Sequence, residues 1–216
     1  MRNTPDSHRQ GARAPERAVE LPVVNVVGER VALGPLRRDL IPTYVRWAND
    51  FAVLRTFAVP GPHTLEGTTG WGGAAYERRL AAPDALWFTI YQIAGWRPIG
   101  HTDLFDIDWR GRAAMFGILI GEADCRGKGY GTEATRLMLD YAFTALGLHS
   151  VMLTTDNFNL AGRRAYQKAG FRELGRRRES TLLNGKLWDT VYMACLATEF
   201  ISPVVGRPSV PDQPRS

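Results

Sequence analysis

This 216-residue chain predicts an α/β domain on a mixed, mostly antiparallel central sheet flanked by helices. Three observations carry that expectation. Strand-like runs in the first half are separated by turns too short for a parallel crossover, which needs a dozen residues or more. Midway, the apolar period changes from two to 3.6 directly after a glycine-rich loop. The chain then continues through a strand and a helix to a hairpin across Leu183-Asn184-Gly185.

The elements follow in order. "VVNVVGERVAL" (Val23 to Leu33) reads as an extended pair around Gly28-Glu29. "RRDLIPTYVRWAND" has helical spacing through Leu40, Tyr44 and Trp47, with Asp39 as its cap. A second helix lies within Thr64 to Leu80, weakened early by Gly67, Gly70, Gly72 and Gly73, a run with the composition of a lid. Strands over Leu86 to Ile93, Pro98 to Ile107 and Ala113 to Ile120 follow, joined by "AGWR" and "DWRG". Beyond Gly131, the residues Ala134, Leu137, Met138, Tyr141, Ala142 and Ala145 form one helical stripe that Gly147 ends. "SVMLTT" (Ser150 to Thr155) is a buried strand, and Asn159 caps a helix that Gly170 stops. "FRELGRRRES" and "KLWDTVYMACL" make the last hairpin.

At 44% hydrophobic, one domain with a full core is expected over residues 21–201. Residues 1–20 are polar and Arg-rich, and 202–216 carry four prolines, so both read as loosely draped tails. No run approaches 18 apolar residues, and the N-terminus lacks the apolar core of a secretory signal. Cys125 and Cys195 have neither metal-ligand nor CxxC spacing, which suits a reducing cytoplasm and no bound metal. A net charge of +5 invites nucleic acid, but 24 of the 27 basic residues are arginine, the bias of a GC-rich genome rather than of a selected surface. The one cluster, Arg176-Arg177-Arg178, runs straight into Glu179. Nucleic acid is therefore discounted as the main partner.

The chemistry concentrates in "CRGKGYGTEATRLMLDYAF", Cys125 to Phe143. A glycine-rich turn feeding a helix cradles phosphate, because bare backbone N–H groups and the helix dipole both favour an anion. Lys128 follows Gly127, but no serine or threonine follows the lysine, so a Walker A loop is excluded. Thr132 stands where a dinucleotide fingerprint needs its third glycine. No HRD or DFG element of a kinase follows. The pattern that fits is Arg-x-x-Gly-x-Gly, realised by Arg126, Gly129 and Gly131.

This loop resembles the acyl-CoA pyrophosphate loop of the GNAT N-acetyltransferase superfamily. Asn159, Tyr166, Gly170 and Phe171 look like that family's second signature, an Asn, seven residues to a Tyr, then Gly-Phe. "RPIGHTDLFDIDWRGRAAMFGILIG" and "NGKLWDTVYMACL" are similar to the ribosomal-protein N-terminal acetyltransferase branch, which includes small-amine and antibiotic-modifying members. The likeness covers about residues 25 to 197. It implies a sheet splayed at the acyl-CoA site and acetyl-CoA as co-substrate. It also implies direct transfer to a primary amine, on a peptide N-terminus or a small metabolite. A catalytically silent acyl-CoA sensor on the same fold is the alternative, and a homodimer is one assembly such a domain adopts.

The resemblance carries over residue by residue. Arg126, Gly127, Lys128, Gly129, Tyr130, Gly131 and Thr132 would surround the pyrophosphate. Ile118, Leu119 and Ile120 would pair their backbone with the pantetheine arm, with an oxyanion donor near Leu119 or Ile120. Gly117, inside "AAMFGILI", marks a bulge, a close approach or a plain core position. Tyr166 would protonate the departing sulfur, or else pack its ring on the core; Asn159 would touch the cofactor, cap its helix, or both. The family's Glu five residues before the motif Asn is Thr154 here, which cannot act as a base at neutral pH. His101, Asp103, Asp106 and Glu122 are the remaining candidates, Asp103 foremost, unless a base acts through water. Acidic groups would attract a cationic amine into a groove that Trp71, Trp87, Trp96 or Trp109 could wall.

Overall fold

The computed structural model describes residues 21–56, 62–67 and 71–202; both tails, except for Ser202, and the centre of the glycine run at 68–70 lie outside the described residues. Eight strands form one sheet in the order β1-β2-β3-β4-β5-β6-β8-β7. The strands are β1 (Val26–Val27), β2 (Val31–Pro35), β3 (Leu86–Gln92), β4 (Arg97–Asp108), β5 (Ala113–Ile120), β6 (Ser150–Asp156), β7 (Arg172–Leu183) and β8 (Lys186–Leu196). Every pair is antiparallel except β5 with β6, as the short turns required. Asn184 and Gly185 both take left-handed φ, 53° and 72°, at the last hairpin turn.

The helices are α1 (Ile41–Ala48), α2 (Phe51–Leu54), α3 (Gly73–Ala81), α4 (Tyr130–Asp140) and α5 (Leu160–Ala169). Asp39 does not cap α1: it lies in the preceding 3-10 turn and its carboxylate pairs with Arg37, so Leu40 takes the cap position. The apolar spacing through Trp47 predicts α1, but the helix stops at Asn49, where Asp50 caps the short α2 by accepting from the Ala52 amide. The second helix begins only at Gly73, since Gly72 sits where a Cβ would fall 2.5 Å from the Thr64 carbonyl oxygen. α4 continues as a π-helical turn over Tyr141–Ala145.

Two cores flank the sheet. α4 and α5 cover one face, with Leu137, Met138, Phe116 and Phe171 among the buried residues. α1 and α3 cover the other, around Tyr44, Trp47, Trp71 and Leu119. Each fully buried side chain of this size contributes about 1.5–3 kcal/mol, so Tyr44 and Trp47 alone anchor α1. Asp103 and His101 share the α1/α3 face, while Tyr166 on α5 belongs to the α4/α5 face.

The β5–β6 pair is where the sheet opens. Cα pairing runs from Ala113↔Ser150 to Met115↔Met152 and stops. β6 stays with β8 along its whole length, so beyond Met115 the two parallel strands diverge. Among the described residues, no helix is long and apolar enough to cross a membrane.

Candidate active site

The phase of β5 decides which backbone groups face the gap. At its start the Arg112 carbonyl accepts from the His149 and Ser150 amides on the β6 side; past its end the Gly121 amide donates to Ile99 in β4. Alternation therefore directs the backbone N–H and C=O of Ile118 and Ile120 into the gap, and those of Leu119 toward His101 in β4. The expectation of three backbone contacts is thus corrected to two. Leu119 spends its peptide groups on the sheet and its side chain on the α1/α3 core.

A cavity of about 470 Å³ opens from this gap on the α4/α5 side. Its floor is Ile118, Leu119 and Ile120, its end is the loop at Arg126, Gly127, Gly129, Gly131 and Thr132, and its wall includes Asn159 and Tyr166 from α5. The two halves of the sequence motif, some 30 residues apart, meet here. Lys128 and Tyr130 do not line it. The Tyr130 ring packs instead at the edge of the α4/α5-side core, under the Arg30 guanidinium at 5.2 Å and with its hydroxyl accepting from Gln92.

Gly127 and Gly129 hold φ of 73° and 88°, which allows successive N–H groups to point one way. The amides of Gly127 through Thr132 have no hydrogen-bond acceptor among the described residues. Such a nest at the start of an 11-residue helix suits an anion of the size and charge of a pyrophosphate. The loop is braced from outside. Glu133 accepts from the Arg30 and Val31 amides and from the Arg30 side chain, which also reaches the Lys128 carbonyl. Arg126 is engaged inward: it donates to the Ile120 and Gly121 carbonyls and pairs with Asp50 at 2.7 Å. It closes the loop onto β5 rather than standing free at the rim. Sequence reasoning missed Arg164 and Lys168, which α5 adds to the cavity wall. Their positions four residues apart, bracketing Tyr166 on α5, were the available signal.

Asn159 caps its helix as expected, its Oδ1 accepting from the Gly162 amide, and the residue also lines the cavity. Its Nδ2 donates to Thr155. Tyr166 packs edge-on against Phe116 and Phe171, and its hydroxyl has no hydrogen-bond partner among the described residues. Burial pushes the phenol up to about 12, so it holds its proton at any physiological pH.

On the opposite face lies a second cavity of about 960 Å³, bounded by the end of α2, β4–β6 and the β7–β8 hairpin. Arg55 and Thr56 line both cavities, so the two meet beside the end of α2. Asp103 lies in this second wall and is 3% exposed. Burial raises its carboxyl to about 7, against the opposing pull of Arg79. Its cross-strand partner is Gly117, where a Cβ would stand 2.7 Å from Asp103 Oδ1. That carboxylate is the close approach that the glycine accommodates. Arg79 is held over the Trp71 and Trp87 rings at 4.0 and 4.6 Å, and burial lowers it to about 10.

The other base candidates fall elsewhere. His101 is buried against Trp71, and burial followed by the Arg79 charge lowers it to about 3; it does not line the cavity. Glu122 accepts from Arg46 and from the Trp47 indole. Asp106 sits at the irregular end of β4 with φ of 50° and reaches neither cavity. Of the four tryptophans only Trp87 lines the second cavity; Trp71 packs behind it, and Trp96 and Trp109 are in hairpin turns.

Residues 30–172 match the acetyltransferase (GNAT) domain family. The chain belongs to that family. It is accordingly an N-acetyltransferase, and the donor is acetyl-CoA, the group for which the open loop amides and the β5 edge are suited. Among relatives, the probable N-acetyltransferase YjcK of Bacillus subtilis is 37% identical over 56% of this chain and 67% of its own length. Spermidine N(1)-acetyltransferase of Vibrio cholerae is 32% identical over 48% of this chain and 60% of its own. The putative ribosomal N-acetyltransferase YdaF of B. subtilis is 33% identical over 47% and 55%. A crystal structure of spermidine N-acetyltransferase from V. cholerae in complex with CoA and spermine superposes with a TM-score of 0.69 at 25% identity, covering 79% of this chain and 97% of that one.

Proposed function

We propose that the protein transfers the acetyl group of acetyl-CoA directly to a primary amine in a ternary complex, with Asp103 as general base and Tyr166 as general acid. The observation that carries this reading is the pair of cavities that both run along β5 past its parting from β6 and share Arg55 and Thr56, with a proton-holding group in one and a proton-accepting group in the other. Acetyl-CoA supplies the activated thioester. The residues supply the rest. The amides of Gly127 through Thr132 take the pyrophosphate, and the Ile118 peptide groups take the pantetheine arm as a strand would, the Ile120 carbonyl being engaged by Arg126. The Ile120 N–H is the oxyanion donor, held rigidly by the strand.

Asp103 at about 7 suits proton abstraction from an ammonium near neutral pH, since a base works best with its pKa near the operating pH. Thr154 lines the same cavity from β6, so the carboxylate that part of the family places on that strand is supplied here from β4. Tyr166, with its proton secured by burial, donates to the departing sulfur. Holding both substrates at one opening contributes the proximity advantage, which reaches about 7–11 kcal/mol for well-aligned reactants. An assay of free-thiol release from acetyl-CoA over a panel of amines and peptide N-termini tests the reading. Acceptor-dependent release is expected; acetyl-CoA binding without release for any acceptor would make this chain a sensor.

A further inference from the structure

The second cavity carries more chemistry than a primary amine needs. Among the described residues its charged lining is Asp103 and Asp156 against Arg55 and Arg79. With Asp103 near its midpoint at neutral pH, the net charge of this lining lies between zero and positive. Such a wall offers a polyamine, carrying several positive charges, no net negative charge to bind. The side chain of Arg55 makes no ion pair or hydrogen bond among the described residues, and it stands where the two cavities meet. Arg79 is fixed by its tryptophan stack on the same wall as Asp103. Much of the remaining surface is apolar: Phe51 and Leu182 are 73% and 69% exposed at its edge, and Phe105, Met115 and Phe116 line it further along the strands.

Resting on the acetyltransferase reading above, we infer that the acceptor is an α-amino acid with a large apolar or aromatic side chain, its carboxylate held by Arg55. Each part of such a molecule has a counterpart. The amine meets Asp103, the carboxylate meets a planar guanidinium that pairs with it through two parallel hydrogen bonds, and the side chain lies on the apolar wall. The volume of about 960 Å³ leaves room for an acceptor of this size. Arg79 adds to the positive potential behind the carboxylate.

The test compares kcat/KM for L-phenylalanine, L-phenylalanine amide and spermidine in the full-length protein at saturating acetyl-CoA. The amide's amine is the less basic, so intrinsic reactivity near neutral pH favours the amide, and preference for the acid has to come from the protein. A preference for phenylalanine of at least about tenfold over the amide is expected, the scale of one charge-assisted pair. Arg55→Gln is expected to bring that ratio close to one, and Arg55→Lys to restore part of it. Arg55 is exposed at the end of a short helix, so folding is not at issue. Equal or better use of the amide or of spermidine would overturn the inference while leaving acetyl transfer intact. Acetyl-CoA binding with none of the three acetylated would also overturn the inference, while the acetyltransferase reading falls only if the broader panel of amines and peptide N-termini gives no release.

Discussion

Replacing Asp103 by Asn removes the proposed base while conserving volume and leaving Gly117 its close neighbour. General-base catalysis contributes about 10²–10⁴-fold, so kcat/KM is expected to fall by at least about a hundredfold at pH 8. The pH dependence is the sharper readout. A carboxyl at about 7 is roughly nine-tenths ionised at pH 8 and one-tenth at pH 6, so the ratio of wild-type to variant kcat/KM should shrink about tenfold between those values. Taking the ratio cancels the acceptor's own ionisation. The groups that set this midpoint are burial, which raises it, and Arg79 on α3, which lowers it. Arg79→Met should therefore move the limb to higher pH. The assay is thiol release at saturating acetyl-CoA, with acetyl-CoA affinity measured separately by calorimetry. A ratio that stays flat from pH 6 to 8, or a loss of less than threefold, would remove Asp103 from the mechanism.

Three further outcomes follow from the same geometry. Tyr166→Phe should lower single-turnover rates by about 10²-fold with acetyl-CoA affinity changed less than about threefold, because the hydroxyl has no protein partner among the described residues; an unchanged chemical step would exclude it as the acid. Gly129→Glu forces a side chain onto a φ of 88°, puts its Cβ 2.9 Å from Arg30 Nη2 and brings a negative charge to the anion nest, so acetyl-CoA should bind at least about tenfold more weakly in calorimetry. Gly121→Ala would place a methyl 2.2 Å from the Trp47 ring, at a cost of about 1–3 kcal/mol, and calorimetric melting should show a Tm lower by about 2–4 °C for each kcal/mol.

The donor half of the site was legible in the sequence because its chemistry is local. A loop that binds through backbone N–H groups must advertise itself by glycines, and the helix that carries Tyr166 shows its own cap and stop. The strands were equally plain, since turn residues and the period of two are short-range signals. The acceptor half was not. Asp103 and Gly117 are 14 residues apart and become one feature only through the β4–β5 register. The Arg79 stack on Trp71 and Trp87 joins a helix to a strand, and no spacing announces it. His101 and Asp103 lie on one strand face and look alike as candidates, and both are buried, yet only tertiary packing separates a ring stacked on Trp71 from a carboxyl at a cavity wall. Asp39 misled for a local reason: Arg37, two residues away, competes for the carboxylate that would have capped the helix.

The interruption between β5 and β6 turns the sheet into a septum with a window. On the proposed reading each substrate has its own doorway, so neither must vacate its path before the other arrives or departs. If the proposed ternary complex forms, random-order kinetics are expected: initial-rate plots should intersect, and CoA and the acetylated product should each leave a dead-end complex with the opposite substrate still seated. It also makes the window itself the point of water leakage. With the second doorway empty, solvent can reach the thioester from behind, and a filled acceptor side protects the donor as well as consuming it.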